Sequence, residues 1–126
     1  MADIERNVDR AADLTIRTVR GDVTAQELLD EIAAYVVAGP PTLFSLWDLT
    51  GANVDLLTSE DVRTIAQASV ASFALRQGGR TAIVLSTPAG FGIGRMYGQL
   101  CDVRSGLVLN GTFQDRTEAL AWLGAA

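Results

Sequence analysis

The chain alternates strand-like and helix-like segments along its whole length, and this order restricts its fold more than any other feature. Four segments are dominated by β-branched or other apolar residues, which is typical of strands: residues 14–20, 43–49, 81–85 and 107–113. Residues 3–8 fit an antiparallel edge strand that is joined to the first of these by a turn at Arg10–Asp13. The sequence therefore predicts five strands.

Helix starts between these strands share one capping chemistry, in which a hydroxyl or carboxylate is followed three residues later by an acid. The three pairs are Thr24 with Glu27, Thr58 with Asp61, and Asp115 with Glu118. The first helix is predicted to present an apolar stripe and to end at Gly39-Pro40-Pro41. That stripe consists of Leu28, Leu29, Ile32 and Val36.

The helix behind Thr58 is predicted to continue to Arg76, where a cation suits the negative pole of the helix dipole, and to stop at Gly78-Gly79. A third helix is predicted to open after the glycine-spaced segment 90–94 and to run to about Val103. The order is then β-β-α-β-α-β-α-β-α. Helices between sequential strands require crossover connections, so the fold class is α/β, with a mostly parallel five-stranded sheet, an antiparallel N-terminal edge strand and about four helices.

Composition removes most familiar catalytic machinery. The chain has no histidine and no lysine, so histidine triads, histidine metal sites and Schiff-base lysines are excluded. The single cysteine, Cys101, is interpreted as a small buried hydrophobe, with a reactive thiol as the alternative. We expect no cofactor, no metal site and no enzyme activity.

Charge and hydropathy exclude further classes. The net charge of −5 argues against nucleic-acid binding, which needs a basic face. The sequence holds no apolar run that reaches the roughly 18 residues of a membrane span. The N-terminus alternates charged with apolar residues, unlike a signal peptide, so a cytoplasmic location is expected.

Four motifs in order carry a family resemblance: Arg20-Gly21-Asp22-Val23-Thr24, Leu46-Trp47-Asp48-Leu49, the segment 91–97, and the ending 113–123. On these motifs the chain resembles the SpoIIAA-like family, which is grouped with anti-sigma-factor antagonist (STAS) domains and the lobe of Sec14-type lipid carriers. The resemblance implies one SpoIIAA-like domain over residues 1–126, and it implies binding rather than turnover. STAS antagonists carry a phosphorylatable serine where this chain has Leu56–Asp61, a segment that departs from their Asp-Ser-Ser-Gly-like pattern.

Candidate site residues follow from position and residue type. Asp48 lies near the carboxyl end of a central strand, where ligands collect in open α/β sheets, and it also suits a turn or cap role for the Thr50–Asn53 loop. Arg95 would lie in the first turn of its helix, where a cation opposes the dipole, so it should have either a buried carboxylate such as Asp48 or an anionic ligand as its partner. Thr58 and Ser59 are either helix-capping residues or phosphoacceptors.

Three functions remain open. The leading hypothesis is a non-catalytic SpoIIAA-like binding or protein-interaction domain. The second is a carrier or sensor of a small apolar or amphipathic ligand under the 91–101 helix. Its site would be lined by Phe91, Ile93, Met96 and Tyr97, and Arg95 would meet an acidic head. The third is a switch regulated by phosphorylation at Thr58 or Ser59. A homodimer is compatible with all three.

Overall fold

The computed structural model describes residues 2–124 and shows one five-stranded sheet with helices on both faces. The strands are β1 (Asp3–Asp9), β2 (Leu14–Asp22), β3 (Phe44–Asn53), β4 (Arg80–Val84) and β5 (Leu109–Phe113). The helices are α1 (Ala25–Ala38), α2 (Ser59–Val70), α3 (Pro88–Arg104) and α4 (Arg116–Gly124), with a short 3-10 helix at Phe73–Arg76. The predicted fold class and element order are confirmed.

The sheet has the strand order β1-β2-β3-β4-β5, in which β1 is antiparallel to β2 and the other pairs are parallel. Right-handed crossovers between strands that follow one another in a single direction place all crossover helices on the same face. Accordingly α1, α2 and α3 cover one face, which we call the three-helix face. Its core includes Leu28 of α1, Ile65 of α2 and Ile83 of β4. Helix α4 covers the opposite face, where Ala119 and Leu123 pack on Leu46 and Val84.

Two of the three predicted capping pairs are present, and in the third Asp115 bonds to the amide of Thr117 and not to Glu118. Thr24 accepts a hydrogen bond from the amide of Glu27 while Glu27 accepts one from the amide of Thr24, and both bonds of this capping box recur between Thr58 and Asp61. Asp115 accepts a hydrogen bond from the amide of Thr117 at 2.7 Å. Local sequence thus fixes where these helices begin.

Two strand boundaries and one apolar stripe differ from the prediction. Strand β3 continues through the predicted loop to Asn53, because β2 also continues and pairs with it as far as Asp22. Strand β5 begins at Leu109 rather than at Leu107. In α1, Val36 is 47% exposed, and Tyr35 is buried in its place, where its hydroxyl meets two threonines.

Two helix predictions were also wrong. Helix α2 ends at Val70 because the backbone amide and side-chain hydroxyl of Ser72 both donate to the carbonyl of Ser69, which diverts the chain into the 3-10 helix. Helix α3 begins earlier than predicted, at Pro88, with Thr87 as its cap. Arg95 therefore lies well beyond the first turn, and the expected opposition to the helix dipole does not arise.

Candidate functional site

The predicted carboxylate Asp48 is engaged in a structural network on the α4 face of the sheet. Its carboxylate accepts hydrogen bonds from the amide and the hydroxyl of Thr50, at 3.0 and 2.7 Å, and pairs with Arg116 at 3.1 Å. Burial alone would raise the pKa of the Asp48 carboxyl, but the Thr50 hydrogen bonds and the Arg116 guanidinium outweigh burial and hold this pKa below its usual range. The ion-pair partner of Asp48 is thus Arg116, whereas the sequence had suggested Arg95.

The lowered pKa of Asp48 makes a pH-dependent prediction. A carboxyl whose pKa is lower in the folded than in the unfolded state stabilises the fold above its unfolded pKa of about 4, and this contribution is lost as the pH falls through the folded pKa. We expect Asp48→Asn to lower the free energy of unfolding by about 1 kcal/mol at pH 7, since Arg116 is half-exposed. The deficit should shrink below pH 4 in urea titrations. Arg116→Gln should show the same loss of stability at pH 7 and the same decrease of that loss below pH 4. A loss of stability that does not depend on pH would contradict the ion pair between Asp48 and Arg116 as its cause.

The predicted residues of the 91–97 segment fall into two environments. Phe91 and Arg95 lie on the side of α3 next to β5, where they line a shallow depression of about 310 Å³ together with Asp102 and Asn110. Arg95 is exposed, and Met96 is half-buried but lines neither this depression nor the cavity described next. Ile93 and Tyr97 instead line the apolar cavity between α3 and the sheet. The structure therefore does not bring Asp48, Arg95 and Tyr97 together.

An apolar cavity of about 60 Å³ lies between the sheet and the three-helix face. Its floor is formed by Trp47 and Ile83, and its walls by side chains of all three helices, among them Ile32, Val62 and Tyr97. Well-packed protein interiors contain few voids larger than a water molecule, so a cavity of this size in a small domain is notable. Burial raises the pKa of the Tyr97 hydroxyl, which keeps this wall uncharged.

A smaller, polar pocket of about 30 Å³ adjoins the apolar cavity, and four residues line both: Ile32, Trp47, Ser69 and Tyr97. Two buried arginines that the sequence analysis missed also line this pocket. Arg17 is 3% exposed and Arg76 is 6% exposed. Burial lowers the pKa of both guanidinium groups, yet arginine remains charged in proteins at physiological pH. The site therefore combines an apolar chamber with a cationic end.

Arg17 is held rigidly. Its guanidinium lies between the rings of Tyr35 and Trp47, at 4.3 and 4.4 Å from their centroids, and its Nε donates to Glu31 at 3.0 Å. The available sequence signal was strand periodicity, since Arg17 alternates with Thr15 and Val19. Because side chains alternate along a strand, Thr15, Arg17 and Val19 must share one face, but this alternation does not show that the face is buried.

Arg76 was expected near the end of a long second helix, but it is the last residue of the 3-10 helix and its side chain is buried. Its Nε donates to the carbonyl of Thr42 at 2.9 Å, and its Nη2 donates to the carbonyls of Leu43 and Arg80, both at 3.1 Å. The break after Val70 redirects this residue from the surface into the core. The sequence pattern predicted a continuous helix to Arg76, so it could not predict that this side chain is buried.

Thr58, Ser59 and Cys101 lie away from both chambers. Thr58 is exposed and its hydroxyl accepts from the amide of Asp61 at 3.1 Å, while Ser59 is the exposed first residue of α2. Cys101 is fully buried, and burial raises the pKa of its thiol to about 11. Within residues 2–124 no group of acidic or cysteine side chains could hold a metal ion, and no helix is long and apolar enough to cross a membrane.

Comparison with known proteins places this fold. No protein-family model matches the sequence, and no curated protein is significantly similar to it. A crystal structure of an anti-sigma factor antagonist from Mycobacterium paratuberculosis matches with a TM-score of 0.66 and 19% identity, over 98% of this chain and 95% of that chain. An uncharacterized protein with a SpoIIAA-like fold from Shewanella loihica PV-4 matches with a TM-score of 0.61 and 18% identity, over 98% and 95%. The chain has the SpoIIAA-like fold that its motifs predicted.

Proposed function

We propose that the chain is a non-catalytic binding domain, and that it holds a small apolar or amphipathic molecule in the apolar cavity. The side chains with the reactivity that catalysis needs are engaged in structural contacts. Asp48 is neutralised by Arg116 and bound by Thr50, and the thiol of Cys101 stays protonated at neutral pH. These contacts support binding over turnover.

The observation that carries the proposal is the apolar cavity itself. It is lined almost entirely by apolar side chains, which come from the three helices on one side and from the sheet on the other. Several lining residues, including Ile32, Trp47 and Tyr97, are only half-buried, so the chamber is not sealed from solvent. Small-ligand sites in proteins are typically concave, mostly apolar and largely preformed.

Native mass spectrometry of the purified protein, followed by its intact mass under denaturing conditions, tests the proposal. We expect excess mass in the native spectrum that disappears on denaturation, which indicates a retained non-covalent ligand. A clean native mass that also stays unchanged after incubation with short-chain alcohols and acids would overturn the proposal. The same spectrum gives the oligomeric state, so it also tests the predicted homodimer.

The cavity makes a stability prediction with an internal control. Val62 is buried and lines the cavity, so Val62→Leu should fill part of it and raise the free energy of unfolding of the ligand-free protein by about 1 kcal/mol, the worth of one buried methylene. Val84 is equally buried, but on the closely packed α4 face, so Val84→Leu should lower it by about 1–3 kcal/mol through overpacking. Urea denaturation measures both. If Val62→Leu also lowers the free energy of unfolding, the apolar cavity cannot accommodate an added methylene group, and the proposal loses its basis.

A second candidate function, docking to a protein partner under phosphate control, is favoured by the likeness to an anti-sigma factor antagonist and by the exposed start of α2. A phosphate on Ser59 would lie at the positive pole of α2 but beside Glu60 and Asp61, which would repel it. Excess mass of one phosphoryl group that survives denaturation, and that maps to Thr58 or Ser59, would support this candidate. Unmodified protein from its native cell under several growth states would argue against it.

A further inference from the structure

A row of polar side chains crosses the three-helix face of the sheet near the amino ends of the parallel strands. It takes one residue from each of four neighbouring strands, paired in register: Thr15, Ser45, Thr81 and Asn110. Polar groups on a buried sheet face cost free energy unless they are hydrogen-bonded. The hydrogen-bond partners of each side chain in the row therefore show whether all four residues have a purely structural role.

The two halves of the row differ. The hydroxyl of Thr15 lies 3.0 Å from that of Tyr35 and 2.7 Å from that of Thr42, and the hydroxyl of Ser45 accepts from Arg17 at 3.0 Å. In contrast, Thr81 is 2% exposed and its Oγ1 has no hydrogen-bond partner among residues 2–124. Thr81 is one of the residues that line the polar pocket. Among residues 2–124 this buried hydroxyl therefore has a free hydrogen-bonding capacity that a molecule in the pocket could use.

The charges around the polar pocket do not balance. Glu31 pairs with Arg17, but it also pairs with Arg6 at 3.1 Å, so one carboxylate serves two guanidinium groups. Arg76 donates only to carbonyl oxygens, and no carboxylate within residues 2–124 lies at ion-pair distance from it. A buried charge without a counter-ion is costly. An anionic group in the pocket would offset that cost.

We infer that the polar pocket binds the carboxylate of a short-chain carboxylic acid, with Arg17, Arg76 and Thr81 as its binding residues and the apolar cavity as the site of its tail. This inference rests on the proposed function and specifies the chemical class of the ligand. The pocket volume of about 30 Å³ matches a small planar head better than a tetrahedral phosphate, and guanidinium groups pair with carboxylates in one plane. The apolar cavity, at about 60 Å³, suits a tail of about three carbons, since a cavity of about 150 Å³ accommodates benzene.

The test uses butanoate as the probe and 1-butanol as its neutral analogue of equal length, at constant ionic strength, with amide and indole NMR shifts as the readout. We expect butanoate to shift the signals of Thr81, Ser69 and the Trp47 indole, and to bind at least tenfold more tightly than 1-butanol, since hydrogen bonds to charged groups are among the strongest. Thr81→Val keeps the shape of the side chain and should weaken butanoate about tenfold while leaving 1-butanol unchanged. Thr18→Val, on the opposite face of the sheet, is the matched control and should bind as the wild type does.

The outcomes separate the two proposals. If 1-butanol binds in the cavity as tightly as butanoate, or if Thr81→Val leaves butanoate affinity unchanged, the carboxylate assignment is wrong and the apolar-ligand function stands. If butanoate shifts only signals of exposed arginines such as Arg95 and Arg104, the assignment also fails. If neither probe binds, the carboxylate assignment and the cavity function are both overturned. Localised shifts with the expected loss in Thr81→Val support both.

Discussion

Replacing Glu31 with glutamine is expected to lower the free energy of unfolding by about 3 kcal/mol, because it leaves the buried charge of Arg17 without its partner. Glu31 accepts from Arg17 Nε at 3.0 Å, and the Arg17 side chain is only 3% exposed. The guanidinium also packs over the rings of Tyr35 and Trp47, at 4.3 and 4.4 Å from their centroids, which keeps it away from solvent. A small domain has about 5–15 kcal/mol of stability in total, so this single change should be plainly visible in urea denaturation.

Two further variants separate a buried ion pair from a general effect of lost charge. Glu60→Gln removes the partner of Arg63 from a surface pair in which both side chains are more than half exposed, and it should cost less than about 1 kcal/mol. The double variant Glu31→Leu with Arg17→Met removes both charges and should recover most of the stability, because apolar replacement of a buried pair is often neutral. If Glu31→Gln costs no more than Glu60→Gln, solvent reaches Arg17 and the cationic end of the site is not truly buried.

The sequence predicted the scaffold well because its signals are local. A threonine followed three residues later by an acid satisfies free amides wherever it occurs, so the starts at Thr24 and Thr58 could be placed without tertiary information. The alternation of strands and helices then implied the parallel sheet, and right-handed crossovers place three helices on one face. These features depend on neighbours in the chain and on general handedness.

The site was not predictable in the same way because its residues are distant in sequence and local patterns misassign them. Arg76 reads as a helix-end cation until the Ser69–Ser72 contact breaks the helix. From the sequence, Arg95 was expected to oppose the helix dipole in the first turn. Because α3 begins at Pro88, Arg95 lies beyond that turn, and its side chain is exposed. One usable signal was present, namely hydroxyl residues within strands expected to be buried, such as Ser45 and Thr81. Their alignment into one row depends on strand register, which the sequence does not specify.

The row of polar side chains leads to the second prediction with a large expected effect. The same substitution, threonine to valine, should change the free energy of unfolding in opposite directions at two positions of the row. Thr81→Val should raise the free energy of unfolding by about 1–2 kcal/mol, because it removes a desolvated hydroxyl that has no partner among residues 2–124. Thr15→Val should lower it by about 1–3 kcal/mol, because the hydroxyls of Tyr35 and Thr42 would each lose a buried hydrogen bond. Both residues are threonines in the same row on the same sheet face, each paired in register with Ser45, and both are at most 2% exposed.

The contrast between these variants bears directly on function. If the protein becomes more stable when Thr81 loses its hydroxyl, that hydroxyl lowers the free energy of unfolding of the ligand-free protein. A destabilising buried polar group is expected where it contacts a ligand. Urea denaturation of both variants, without and with butanoate, measures this. Butanoate should raise the stability of the wild type and of Thr15→Val, provided that variant folds, and should raise that of Thr81→Val much less. If Thr81→Val is instead as destabilising as Thr15→Val, the hydroxyl of Thr81 has a structural partner, and the polar row is simply part of the core.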